Sequence, residues 1–143
     1  MIVLVHHADA VGPDVDPQRA LSAAGRAHAD RLARDLAAKG VRPAAIWHSG
    51  KLRARQTAEA FLRACNPMAE FSAIRGLQPT DPPEWIRDRL AGESRDVMLV
   101  GHMPSLPRIL ETLTHEESRE FPPHGAVALE QEGERWRIVW MAE

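Results

Sequence analysis

Three apolar runs in this chain end in histidine. Ile2-Val3-Leu4-Val5 is followed at once by His6 and His7. Ala44-Ala45-Ile46-Trp47 leads into His48 and Ser49, with Lys51 and Arg53 close behind. Asp96-Val97-Met98-Leu99-Val100-Gly101 leads into His102. Unbroken apolar runs of this length, rich in Val and Ile, read as strands buried on both faces. Such strands belong to sheets covered by helices, in which ligands bind beyond the carboxyl ends of the strands. If the three strands are neighbours, their terminal groups share one crevice that is cationic, rich in imidazole and poor in carboxylates. That crevice suits an anion, and phosphate is the natural candidate. A helix starting at Ser49-Gly50 would add backbone N–H donors. The matching chemistry is phosphoryl transfer. A neutral histidine attacks phosphorus and carries the group covalently, while arginine and a second, protonated histidine stabilise charge on the equatorial oxygens. Water then releases phosphate, and no metal is required.

The elements that would position these groups follow from local signals. Gly12-Pro13-Asp14-Val15-Asp16-Pro17 has the composition of a loop. Ser22 is placed to cap a helix running to about Lys39, with Leu32 and Leu36 on its apolar face and Gly40 ending it in the C′ position. Gly25 in the first turn costs helix stability and points to close packing against the sheet. A second helix runs from Leu52 to about Arg63, started by Ser49 or the turn after it and stopped by Asn66-Pro67. Met68 to Ile74 fits a short edge strand. Asp81 is placed to cap a helix from Pro83 to Leu90. A further helix follows Met103-Pro104-Ser105 through Leu113, and Thr114 to Gly125 reads as an ordered loop. Val127–Gln131 and Arg135–Met141 form a C-terminal hairpin. Strands alternating with helices give a three-layer α/β/α fold, a mostly parallel sheet with an antiparallel hairpin at its end.

Composition narrows the partners. The 143 residues suit a single domain, 1–143, with a sizeable core, and 44% hydrophobic with 27% charged residues is the balance of an ordinary globular protein. A net charge of -2 gives no reason to expect nucleic acid or an anionic membrane as partner. One cysteine, Cys65, leaves no intramolecular disulfide and no cysteine metal cluster, which fits a cytoplasmic protein. The apolar start is interrupted too soon by His6 for a signal peptide, and no run approaches the length of a membrane span.

Four segments, in order, resemble the histidine phosphatase superfamily, the phosphoglycerate-mutase-like proteins, and within it the small SixA-like phosphohistidine phosphatases. Leu4-Val5-His6-His7-Ala8-Asp9-Ala10 resembles the Arg-His-Gly or Arg-His-Ala signature. Arg19-Ala20-Leu21-Ser22-Ala23-Ala24-Gly25 resembles Arg-Pro-Leu-Thr-x-x-Gly. Ser49-Gly50-Lys51-Leu52-Arg53-Ala54-Arg55-Gln56-Thr57 resembles Ser-Pro-x-x-Arg-Ala-x-x-Thr, and Val100-Gly101-His102-Met103-Pro104 resembles Gly-His-x-Pro. The resemblance implies that His7 is the nucleophile, that Arg53 binds phosphate, and that His102 is a second catalytic histidine, protonated and in contact with the phosphoryl group. Arg19 is either a phosphate ligand or a brace for its loop. The implied substrate is protein phosphohistidine, with a small phosphate ester as the other choice, and inorganic phosphate as product.

Two positions depart from the pattern. His6 stands where the superfamily has arginine, and so offers at most two donors in place of a fork. It is read either as a phosphate ligand or as a backbone brace. Gly76 stands where many relatives carry a glutamate before Leu-x-Pro, which leaves Asp81 or Glu84 as the proton donor. His48 reads as structural; His28, His115 and His124 as surface or loop residues; Trp85, Trp136 and Trp140 as packing groups. Three functions therefore compete: a metal-independent phosphatase working through phospho-His7, a catalytically weakened phosphate- or phosphoprotein-binding module, and a metal enzyme using His6, His7, His48 and His102. The last is weakest, since no carboxylate stands at ligand spacing from those histidines.

Overall fold

The computed structural model describes residues 1–117 and 120–143; within the loop expected between Thr114 and Gly125, positions 118 and 119 lie outside the described residues. Along the chain run β1 (Ile2–His6), α1 (Ala23–Ala38), β2 (Ala45–His48), α2 (Leu52–Cys65), β3 (Glu70–Ala73), α3 (Pro83–Ala91), β4 (Val97–Gly101), α4 (Ser105–Thr114), β5 (Ala126–Glu132) and β6 (Arg135–Ala142). The strands form one sheet in the order β3-β2-β4-β1-β5-β6. β3, β2, β4 and β1 are parallel, and β5 and β6 add the antiparallel hairpin beside β1.

The apolar runs are buried on both faces, as their lack of alternation requires. Val3, Val5 and Ile46 pack with Leu32, Leu36 and Phe61 of α1 and α2. Ile2, Leu4 and Trp47 pack on the other face with Ile86 of α3 and Leu106 and Ile109 of α4. Each such fully buried side chain contributes about 1.5–3 kcal/mol, so three layers follow from β1 and β4 being apolar throughout.

Several local signals resolve as expected. Ser22 caps α1, its Oγ accepting from the Gly25 N–H at 3.0 Å. Gly25 is needed because a Cβ there would overlap the backbone of Asp9, so the close approach is to the loop leaving β1. Other expectations are corrected. Asp81 does not cap α3: Pro82 holds that position, and Asp81 Oδ2 instead accepts from the N–H groups of Gly76 and Gln78 at 3.1 and 3.0 Å. Of the two starts open to α2, Ser49 or the turn after it, the turn is the one used: Lys51 is the N-cap and makes no side-chain cap bond. Trp136 and Trp140 pack against the core. Trp85 does not; it is 42% exposed, with the Arg75 guanidinium 4.7 Å from its ring centre.

Candidate active site

Strand register brings the chemistry together. His6 pairs with Gly101 across β1 and β4, and His48 pairs with Val100 across β2 and β4. The residues that follow, His7, Ser49 and His102, therefore leave three adjacent strands in one row. The His7 N–H donates to the Gly101 carbonyl at 3.1 Å, which sets His7 beside the start of the β4–α4 turn. The imidazoles of His7 and His102 lie 5.0 Å apart between ring centres, and those of His6 and His7 4.6 Å apart. Thr57 ties the row to α2: its hydroxyl accepts from the Ala8 N–H at 3.0 Å and donates to the Arg53 carbonyl at 2.8 Å. This holds the turn of α2 that carries Arg53 against the segment that carries His7.

Hydrogen bonds assign the ring protons, because a carbonyl only accepts and a backbone N–H only donates. His7 Nδ1–H donates to the Ala8 carbonyl at 2.7 Å, which leaves the Nε2 lone pair free. His6 Nδ1 accepts from the His124 N–H at 2.8 Å, so in the neutral ring the proton sits on Nε2. His102 Nε2 is 2.7 Å from Ser49 Oγ. Among the described residues, two buried side-chain polar atoms have no partner, Arg53 Nε and His102 Nδ1. An unpartnered buried polar group costs about 1–3 kcal/mol. Two of them at one place mark where a ligand would supply acceptors.

Burial holds three imidazoles, His6, His7 and His102, neutral at neutral pH. Burial, then the neighbouring His7 and His124, push His6 down to about 3. Burial pushes His7 down to about 4 against a raising contribution from the Ala8 carbonyl, with Arg53, His124 and Arg19 lowering it further. Burial, His7 and Arg53 lead the causes that push His102 down to about 3. Burial and its cationic neighbours thus keep His102 uncharged at neutral pH, and an anion beside it would favour the charged form. Burial and then Arg19 lower Arg53 as well.

Arg19 sits at φ 55 and donates from Nε to the Val11 carbonyl at 3.0 Å, so it braces its loop while its charge acts on His7 and Arg53. Arg19, Lys51, Arg53 and Arg55 line an open cleft of about 560 Å³. A second cleft, of about 480 Å³, meets Ser49 and is lined by Gln78, Asp81 and Trp85 among others. The extra backbone donors expected at Ser49-Gly50 are already used: the Gly50 N–H goes to His48 Nδ1 at 3.0 Å and the Lys51 N–H to Ser49 Oγ at 3.3 Å. His48 is buried and makes that structural contact. Asp81 braces its loop, and Glu84 is exposed on α3.

One residue of the site escaped sequence reading. His124 stacks on His6, 4.8 Å between ring centres at 8°, and its Nδ1–H donates to the His7 carbonyl at 2.8 Å. It arrives because β5 is antiparallel to β1, so the residues before β5 lie at the carboxyl end of β1; the His6 N–H donates to the Gly125 carbonyl at 2.9 Å. The available signal was Phe121-Pro122-Pro123-His124-Gly125 directly before the hairpin. One ring nitrogen from each of His6, His7 and His124 lies within 4.8 Å of the other two, and this trio is the place among the described residues where a metal would find imidazole ligands.

At the carboxyl edge of the parallel sheet, an imidazole with an uncommitted Nε2 thus shares a site with two unpartnered donors, Arg53 Nε and the neutral His102 Nδ1, an arrangement suited to an anion. The chain belongs to the histidine phosphatase superfamily, branch 1, whose sequence profile matches residues 6–86. No curated protein matches it at a significant level. Among solved structures it is similar to a protein from Agrobacterium tumefaciens named for the phosphohistidine phosphatase SixA, with 29% identity, a TM-score of 0.84, and 99% of this chain and 96% of that one covered. It shares the fold of the protein histidine phosphatase SixA complexed with tungstate, with 20% identity, a TM-score of 0.88 and the same coverage. It also shares the fold of a mycobacterial glucosyl-3-phosphoglycerate phosphatase complexed with VO3, at 16% identity, a TM-score of 0.74 and 99% coverage of both chains. Family and neighbours together support a phosphatase function.

Proposed function

We propose that the protein is a metal-independent phosphatase that forms a phosphohistidine intermediate on His7 and acts on protein phosphohistidine. The carrying observation is the pairing of one free lone pair, His7 Nε2, with two unpartnered donors, Arg53 Nε and His102 Nδ1, on adjacent elements. His7 Nε2 attacks phosphorus and the leaving group departs. Arg53 and His102 then gain acceptors in the equatorial oxygens, so the penalty of leaving them unpartnered is relieved as charge develops. With Ser49 Oγ donating to His102 Nε2, the His102 proton sits on Nδ1, the atom that needs an acceptor. Arg19 contributes charge from its braced loop, and His6 contributes an Nε2–H donor. Asp81 and Glu84 become weak candidates for the proton donor, given the loop-bracing bonds of the first and the exposure of the second.

Protein phosphohistidine is favoured as substrate by the likeness to SixA-named structures and by two open clefts beside the site, which leave room for a macromolecular carrier. A cytoplasmic location is proposed from the single buried thiol, Cys65. The test is hydrolysis of a phosphohistidine peptide and of small phosphate esters in excess chelator, with the enzyme quenched at alkaline pH. Turnover in chelator, faster release from the peptide and phosphate bound to His7 are expected; loss of turnover on chelation is the contrary result.

One observation favours a second reading, a phosphate-binding module of weak activity: His6 is neutral and offers a single donor where relatives have arginine. His6→Arg separates the two. A drop in turnover is expected, because His124 loses its acceptor; a rise would favour the binding module.

A further inference from the structure

We propose that His124 is a further catalytic residue, the acid–base group that the site otherwise lacks. The inference rests on the phospho-His7 reaction above. In the first step the His7 Nε2–P bond forms, the bond from phosphorus to the leaving group breaks, and protonated His124 Nε2 gives its proton to the departing atom. In the second step a water oxygen bonds phosphorus and the His7 Nε2–P bond breaks. His124 Nε2 takes the water proton, which returns the site to its starting state and releases inorganic phosphate.

Four observations carry this. The Nδ1–H of His124 is committed to the His7 carbonyl, so Nε2 is the atom free to exchange a proton. One ring nitrogen from each of His6, His7 and His124 lies within 4.8 Å of the other two; one oxygen atom bridges such a span with two hydrogen bonds of about 2.8 Å. The residue is held in place at unusual cost: its φ of 54 is left-handed for a non-glycine residue, pinned by its N–H on His6 and by His28 Nε2–H donating to its carbonyl at 3.1 Å. The carboxylates near the site are otherwise occupied, Asp81 by its loop and Asp9 by the Ser22 hydroxyl at 2.7 Å. A metal on the same trio is disfavoured by geometry: His6 Nδ1 accepts a backbone N–H and its Nε2 keeps the proton, so at most two of the three rings have a lone pair left for a metal.

The experiment compares esters with poor and good leaving groups, phenyl phosphate and p-nitrophenyl phosphate, on the full chain. His124→Asn retains an N–H for the His7 carbonyl and tolerates left-handed backbone but carries no exchangeable proton of the right acidity. His124→Gly suits the same backbone and leaves room for added imidazole. The expected result is a loss of about 100-fold on phenyl phosphate, within the range of a general acid, with less than about tenfold on p-nitrophenyl phosphate, and partial rescue of His124→Gly by imidazole. Equal losses on both esters without rescue, or no loss, overturn the role of His124. Phosphohistidine is trapped on His7 in parallel. Its absence from the wild type brings down the phospho-His7 reaction and His124 with it, whereas its presence beside equal losses brings down His124 alone.

Discussion

At the amino end of β1 and β4 the Met1 amine meets Asp96 at 2.9 Å, and the Val97 N–H donates to the Met1 carbonyl at 3.2 Å. The cavity there is small, about 80 Å³. At the carboxyl end of the same strands, Arg53 Nε and His102 Nδ1 have no partner, Arg19 and His124 sit at positive φ, and the neighbouring cleft is about 560 Å³. One end is closed by its own hydrogen bonds, and the other keeps donors and strain for a guest. Polar groups left unpartnered in a well-packed fold are thus a physical marker of the functional end, independent of any motif.

Substitutions at the two ends should therefore differ in kind. The largest effect is expected for His7→Ala, which removes the proposed nucleophile: turnover of a phosphate ester falls to the uncatalysed level while the thermal transition moves little. Arg53→Ala removes one charge-assisted donor worth about 1.5–3 kcal/mol. Tungstate affinity, read by calorimetry, should fall about 10- to 100-fold, and unchanged affinity would place the guest elsewhere.

Acid should weaken the fold through this end. In the folded chain His6, His7 and His102 stay neutral down to about 3, 4 and 3, whereas in the unfolded chain each takes up a proton near 6.5. The unfolded state then binds more protons, so stability is full above pH 6.5 and is lost as pH falls toward 4. Bound tungstate favours the charged imidazoles, so its stabilisation should grow as pH falls from 7 to 5. Both trends are read from melting temperature against pH, and a flat profile contradicts the buried neutral cluster. The smallest effect belongs to the closed end. Asp96→Ala breaks an exposed ion pair and should cost about 0–1 kcal/mol with turnover unchanged.

Much of this was legible from residue order. The apolar runs before His6, His48 and His102 announced buried parallel strands, because two-sided burial leaves no room for alternation, and Ser22 and Gly40 marked both ends of α1. The residue types of the site, His7, Arg53 and His102, were named by short-range pattern. Asp81 misled as a helix cap, since its oxygen had better partners within its own loop, the N–H groups of Gly76 and Gln78.

The sequence by itself determined that histidines follow the buried strands, because hydrophobic pattern and turn chemistry act within a few residues of each other. Tertiary structure alone decided the strand order that sets His7, Ser49 and His102 in one row, the antiparallel return that delivers His124, and the ring nitrogen on which the His6 proton sits. Those depend on hydrogen bonds between residues such as His6 and His124, 118 positions apart, which no local pattern encodes.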